Sequence, residues 1–108
     1  MHNSKYQNVI QALDACAAAC NHCAAACLNE EDVKMMKRCI MLDMDCAAIC
    51  KETAAALARG SEMATIFLQT CAAICDACGE ECGKHEHDHC KACAEACRRC
   101  AEACRSAA

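Results

Sequence analysis

The chain has 108 residues, a formal net charge of −4 and 16 cysteines, with no proline and three glycines. This is one domain's length, and the mild acidity argues against a nucleic-acid partner, which wants a basic face. Leu, Ile, Val and Phe together supply only 13 residues, a level associated with disorder unless the cysteines themselves form the core.

The amino-terminal MHNSKYQNVI carries no apolar run of the signal-peptide kind, and no stretch reaches the length of a membrane span. The expectation is a cytoplasmic chain without a membrane partner. Thiols are kept reduced there, which favours metal binding over disulfides.

Ser4 followed by Gln7 reads as a capping box. Tyr6, Val9, Leu13, Cys16, Cys20, Cys23 and Cys27 then step by three and four, which is one face of a helix. Asn29 to Asp32 form a polar break whose carboxylates suit a following helix N-terminus. The second helix carries Met35 or Met36, Cys39, Asp43, Cys46, Cys50 and Leu57 on its seam and ends at Arg59 and Gly60, a cation before a C′ glycine. Ser61 is placed to cap the third helix, with its seam at Leu68, Cys71, Cys75, Cys78 and Cys82, and Gly83 ends it. The hinge KHEHDH leads to a fourth helix with Cys90, Cys93, Cys97, Cys100 and Cys104. Alanine fills the gaps and offsets the poor helix propensity of cysteine.

The fold class expected is all-α: one domain over residues 1–108, with helices over about 4–28, 31–59, 62–82 and 88–106. Short links between them point to an antiparallel up-down-up-down four-helix bundle with a cysteine-lined core. The repeat of CAAIC at 46–50 and 71–75 fits that symmetry.

Cysteine can serve as a small hydrophobic filler, but all 16 fall on the seams, where Leu and Ile would pack better. Disulfide stapling is the other plain reading. Adjacent positions on one helix strain the required dihedral, and bundle axes lie about 8–10 Å apart. Metal ligation explains the spacing. Residues at i and i+4 have β-carbons about 5–6 Å apart, so two sulfurs can come to about 4–5 Å, about twice a zinc–thiolate bond. Cys16 with Cys20, Cys23 with Cys27, Cys46 with Cys50, Cys71 with Cys75, Cys78 with Cys82, Cys93 with Cys97 and Cys100 with Cys104 all have this spacing.

Thiolate softness admits copper(I), zinc and iron–sulfur clusters. A monovalent ion on each thiolate leaves the core neutral, whereas four zinc ions on four-cysteine sites leave a charge of about −8 inside the bundle. Copper(I), many ions per chain, is therefore the expected cargo, with zinc buffering as the alternative. Iron–sulfur redox chemistry ranks lower, because such clusters sit on cysteines presented by loops with a nearby proline. No nucleophile with a matched base and oxyanion donors is visible, so no enzyme is expected.

In this topology one end gathers Cys27, Met35, Met36, Cys39, Asp43, Cys82, His85, His87, His89 and Cys90. Metal is expected to load there, with Met36, Asp43, His85, His87 and His89 as candidate ligands beside the cysteines. The other end holds Val9, Leu13, Leu57, Phe67 and Leu68, an apolar plug. His22 lies beside the seam and is not a candidate. Ala17, Ala18, Ala24, Ala25, Met41, Met44 and Ala48 are read as outward, an apolar exterior that predicts a homo-oligomer.

The segments CAAACNHCAAAC, CIMLDMDCAAIC, CAAICDACGEEC and CGKHEHDHCKAC resemble the bacterial copper storage proteins, and specifically their cytosolic branch, over nearly the whole chain. The resemblance implies a tetramer, multiple copper(I) ions along the bundle core and histidines near the loading end. Asp43 departs from the pattern where the seam could carry another cysteine.

Overall fold

The structure is a computed structural model that describes residues 6–108. Four α-helices follow in order: α1 (Gln7–Leu28), α2 (Lys37–Ala58), α3 (Ala64–Cys82) and α4 (Asp88–Ala107). They pack as a rod of 48 × 18 × 18 Å, in which α1 lies on α2 and α4, and α3 lies on α2 and α4. Contacts Cys39–Cys82, Cys46–Cys75 and Cys50–Cys71 step along α2 and α3 in opposite directions, so these neighbours run antiparallel. No helix among the described residues is long and apolar enough to cross a membrane.

The links explain where the observed helices differ from the expected ones. Ser4, and with it the capping box and the first residues of the expected first helix, lies outside the described residues. The second helix was expected from residue 31, but Val33–Met36 form a separate 3-10 turn and the α-helix begins at Lys37. That tighter winding carries Met36 into the core with no exposed surface and leaves Met35 outside at 73 %.

At the end of α2, Gly60 takes φ 66°. Its N–H reaches Leu57 O at 3.1 Å while Ser61 N–H reaches Ala56 O at 2.9 Å, which is a Schellman cap satisfying two terminal carbonyls. The Ser61 hydroxyl accepts from Met63 N–H at 3.0 Å, so it closes the turn, and α3 begins two residues later than expected.

All 16 cysteines are free and wholly buried. Val9, Leu13, Leu57 and Leu68 are buried beyond them at one end, as the plug requires. Phe67 does not belong to it. This residue is only partly buried and lies outside the packed cluster, one position before the seam residue Leu68. Ala17 and Ala24, read as outward, are buried at 0 % and 8 %. Each directly follows a seam cysteine, and the covered stripe of a bundle helix is wide enough to include that flank. Ala18, Ala25, Met41, Met44 and Ala48 are exposed as expected. Small residues also let α3 and α4 close up: a Cβ added at Gly79 would stand 3.2 Å from Cys97 Cβ.

Candidate metal centre

The cysteines form one continuous column of sulfur. Cys16 Sγ lies 4.0 Å from Cys20, 3.8 Å from Cys46 and 3.8 Å from Cys97. Further along, Cys46 meets Cys75 at 3.6 Å and Cys50 meets Cys71 at 3.8 Å and Cys100 at 3.9 Å. Five of the seven i, i+4 pairs stand at 3.8–4.0 Å, at the short end of the expected span. Groups of four sulfurs lie mutually within 4.8 Å, among them Cys16, Cys46, Cys50, Cys75 and, nearer the hinge, Cys23, Cys27, Cys39, Cys90. Neighbouring groups share members: Cys16 and Cys46 also belong to a set with Cys20 and Cys97. An ion leaving one group therefore has the next within reach.

These thiols sit where ionisation without a cation is costly. Burial pushes Cys27 up to about 11 and raises Cys90 as well. Cys39 moves the other way, down to about 3, because the thiols of Cys23 and Cys82 can donate to it.

Asp43 occupies a seam position of α2 with no exposed surface. Its Oδ1 accepts from the thiols of Cys93, Cys78 and Cys82 at 3.1, 3.2 and 3.3 Å, and its Oδ2 faces Cys39 at 3.8 Å. Burial first, then repulsion from Cys93, pushes its carboxyl up to about 10. Without a cation it is a neutral acid bridging α2 to α3 and α4.

The three hinge histidines separate into two kinds. His89 Nδ1 stands over three sulfurs, 3.6 Å from Cys23, 3.6 Å from Cys90 and 3.7 Å from Cys27. Its Nε2 lies 2.8 Å from Glu30 Oε2. Donation of Nε2–H to that carboxylate leaves the Nδ1 lone pair directed at the sulfurs. His85 and His87 meet carboxylates instead. His85 Nε2 is 2.9 Å from Glu81, and His87 contacts Asp32 at 3.3 Å and Glu30 at 3.5 Å. His87 also stacks on His89, with ring centroids 5.3 Å apart.

Sequence reasoning missed Glu30 and Glu81. Glu81 is 8 % exposed, and the His85 contact outweighs the desolvation that opposes it, so that its carboxyl is held below the usual range with help from Arg38 and Lys84. Arg38 pairs with it at 2.8 Å across α2 and α3. Glu30 has no local signal, because His87 and His89 reach it from a distant segment, whereas Glu81 stands four residues before His85, a spacing readable in the sequence. Thr53 was missed too: its hydroxyl is buried with no hydrogen-bond partner.

The model of the copper storage protein family matches residues 2–108. The chain belongs to the copper storage protein family. Its relatives include the Bacillus subtilis cysteine-rich protein YhjQ, 50 % identical over 87 residues, which are 81 % of either chain. The copper(I)-bound copper storage protein BsCsp3 has a TM-score of 0.91 and 48 % identity, covering 94 % of this chain and 95 % of its own. A cytosolic family member from Streptomyces lividans, solved with five coppers, has a TM-score of 0.89 and 46 % identity, covering 92 % of this chain and 88 % of its own. The copper storage protein Ccsp from the same organism has been solved loaded with 10 copper equivalents.

Proposed function

We propose that this protein stores copper(I) in the cytosol, many ions per chain, on the thiolates of its core, and so keeps the metal from reacting elsewhere. The observation that carries the reading is the unbroken column of 16 buried free cysteines at sulfur spacings one soft ion can bridge. Only thiolates bind, so each ion entering displaces a proton. One monovalent ion for each thiolate cancels the charge on the sulfurs of the interior. Cys16, Cys20, Cys23, Cys27, Cys39, Cys46, Cys50, Cys71, Cys75, Cys78, Cys82, Cys90, Cys93, Cys97, Cys100 and Cys104 are the ligands in this reading.

At the hinge end His89 joins Cys23, Cys27 and Cys90 in receiving the first ions. Glu30 orients it, and His85 and His87 line the rim. Met36 closes the same end from the 3-10 turn before α2. Asp43 stays protonated among empty thiols and ionises as cations fill the sites around it. The fold supplies storage positions, and nothing in the reading requires turnover of a substrate.

Self-association into a homotetramer is part of the proposal. Self-association rests on exposed Leu28, Met41 and Met44 and on an apolar groove lined by Leu28, Val33, Ile40 and Met41 together with Lys34 and Lys37, while the number four is what the resemblance to the family implies.

The test is an anaerobic copper(I) titration of the reduced protein against a high-affinity chromophoric chelator, with the mass of the same sample read by light scattering. The chelator should stay colourless until about one copper per cysteine has been added, the ratio that neutralises the core. Capture by the chelator after the first one or two equivalents would sink the storage reading, and a zinc competition would then decide whether the thiols buffer zinc. Monomeric mass would remove the assembly claim alone.

A further inference from the structure

One sulfur pair stands apart from the rest of the column. Cys39 Sγ and Cys82 Sγ are 3.0 Å apart, whereas the next closest interhelical pairs, Cys46–Cys75 and Cys93–Cys20, are at 3.6 Å. The pair joins two helices, and this matters for its chemistry. A disulfide wants β-carbons about 3.5–4.5 Å apart, while i, i+4 positions on one helix hold them at about 5–6 Å. The intrahelical pairs are thus poor candidates for oxidation, and a close interhelical pair is a good one. The adjacent residues Arg38 and Glu81 form an ion pair of 2.8 Å, which holds α2 against α3 at this level.

Position adds to proximity. Cys39 lies in the first turn of α2 and Cys82 is the last residue of α3. Helix ends open locally more readily than helix middles, and a helix N-terminus favours a thiolate. Both sulfurs have no exposed surface, so an oxidant reaches them when these helix ends open, and a small, uncharged one needs the least opening.

We propose that Cys39 and Cys82 are a peroxide-reactive pair: hydrogen peroxide joins them in a disulfide that ties α2 to α3 just inside the histidine-bearing end. The Cys39 thiolate attacks one peroxide oxygen and the O–O bond breaks. With uptake of one proton a water leaves, and Cys39 is left as a sulfenic acid. Cys82 then attacks the Cys39 sulfur. The S–O bond breaks, and the hydroxyl departs as a second water with the Cys82 proton. Two thiols and one peroxide become one disulfide and two waters, the sulfurs being oxidised by two electrons. The cross-link stands on this geometry alone. Its consequence, slower copper loading until a dithiol reopens it, rests on the storage reading, since the bond removes two sulfurs from the loading end and stiffens it.

The experiment treats the reduced, metal-free, full-length protein anaerobically with one equivalent of hydrogen peroxide. Remaining peroxide is destroyed, free thiols are alkylated, and tandem mass spectrometry locates the cross-link. The expected result is loss of two thiols per chain, with Cys39–Cys82 as the first link formed. In Cys82→Ser the Cys39 sulfenic acid loses its nearest resolving thiol and should be captured by a dimedone-type probe more than in the wild type. Oxidised wild-type protein should then take copper(I) more slowly than reduced protein and recover with a dithiol. A first link between any other pair, or thiols untouched by peroxide, would overturn the proposal without reference to any variant. Unchanged loading of the cross-linked protein would overturn its gating half. Failure of reduced protein to take copper at all would count against storage and leave the cross-link standing.

Discussion

Replacing Asp43 by asparagine should change how the metal-free protein's stability depends on pH. In the folded chain burial raises this carboxyl to about 10 from an ordinary 3.8. Between those values the folded state holds a proton that the unfolded state has released. Each rise in pH therefore favours unfolding, and stability present in acid is lost progressively from the lower value toward the upper one. One pKa unit corresponds to about 1.4 kcal/mol, so from about pH 5 to about pH 8 this one group should cost the wild type up to about 4 kcal/mol. That is a large part of a typical stability of about 5–15 kcal/mol.

Asparagine has nearly the shape of the protonated acid. Its oxygen can still accept from Cys78, Cys82 and Cys93, and its amide can donate toward Cys39. The variant should lack this one contribution, so the stability difference between the two proteins should shift in the variant's favour by up to about 4 kcal/mol over the same range, other groups such as Cys39 titrating in both. The assay is urea unfolding of both proteins, anaerobic and with reductant, followed by helical circular dichroism at several pH values. Parallel slopes for the two proteins, or a wild type that gains stability relative to the variant as pH rises, would refute the buried neutral acid.

Leu68→Ala, at a site 1 % exposed in the plug, should cost about 2–5 kcal/mol of stability while the copper stoichiometry of the folded protein stays the same. Unfolding curves and the chelator titration together check this. His89→Ala should slow capture of the first copper equivalents more than His85→Ala does, because only the former faces sulfur. Stopped-flow loading from a copper(I) chelate compares the two, and equal effects would contradict the separation of the histidines.

The helical pattern was legible because cysteine kept step with leucine and valine along each seam, and every seam cysteine is buried. The glycine cap at Gly60 was legible for a local reason: the αL conformation and its two hydrogen bonds involve only residues 56–61. The start of α2 was not. Nothing between Asp32 and Lys37 distinguishes a 3-10 turn from a first α-turn, and the burial of Met36 depends on what lies beneath it. The hinge histidines show the same limit. Their sequence positions are two apart, but His89 and His87 find their carboxylates, Glu30 and Asp32, on a distant segment, while His85 pairs with Glu81 four residues before it. Asp43 was recognised as a departure from the cysteine pattern, while the three thiols that converge on one of its oxygens come from α3 and α4 and have no trace in the second helix.

Among the described residues, Leu13, Leu57 and Leu68 close the sulfur column with apolar side chains at their end. A vessel with a single opening returns its contents in reverse order of arrival. The ions lying deepest, beside Cys50, Cys71, Cys75 and Cys100, would be the oldest. They would come out only after the shallower positions had emptied or the helices had parted. The same protein would then present a quick reserve near the histidines and a slow one near the leucines, with depth adding to the difference in ligands.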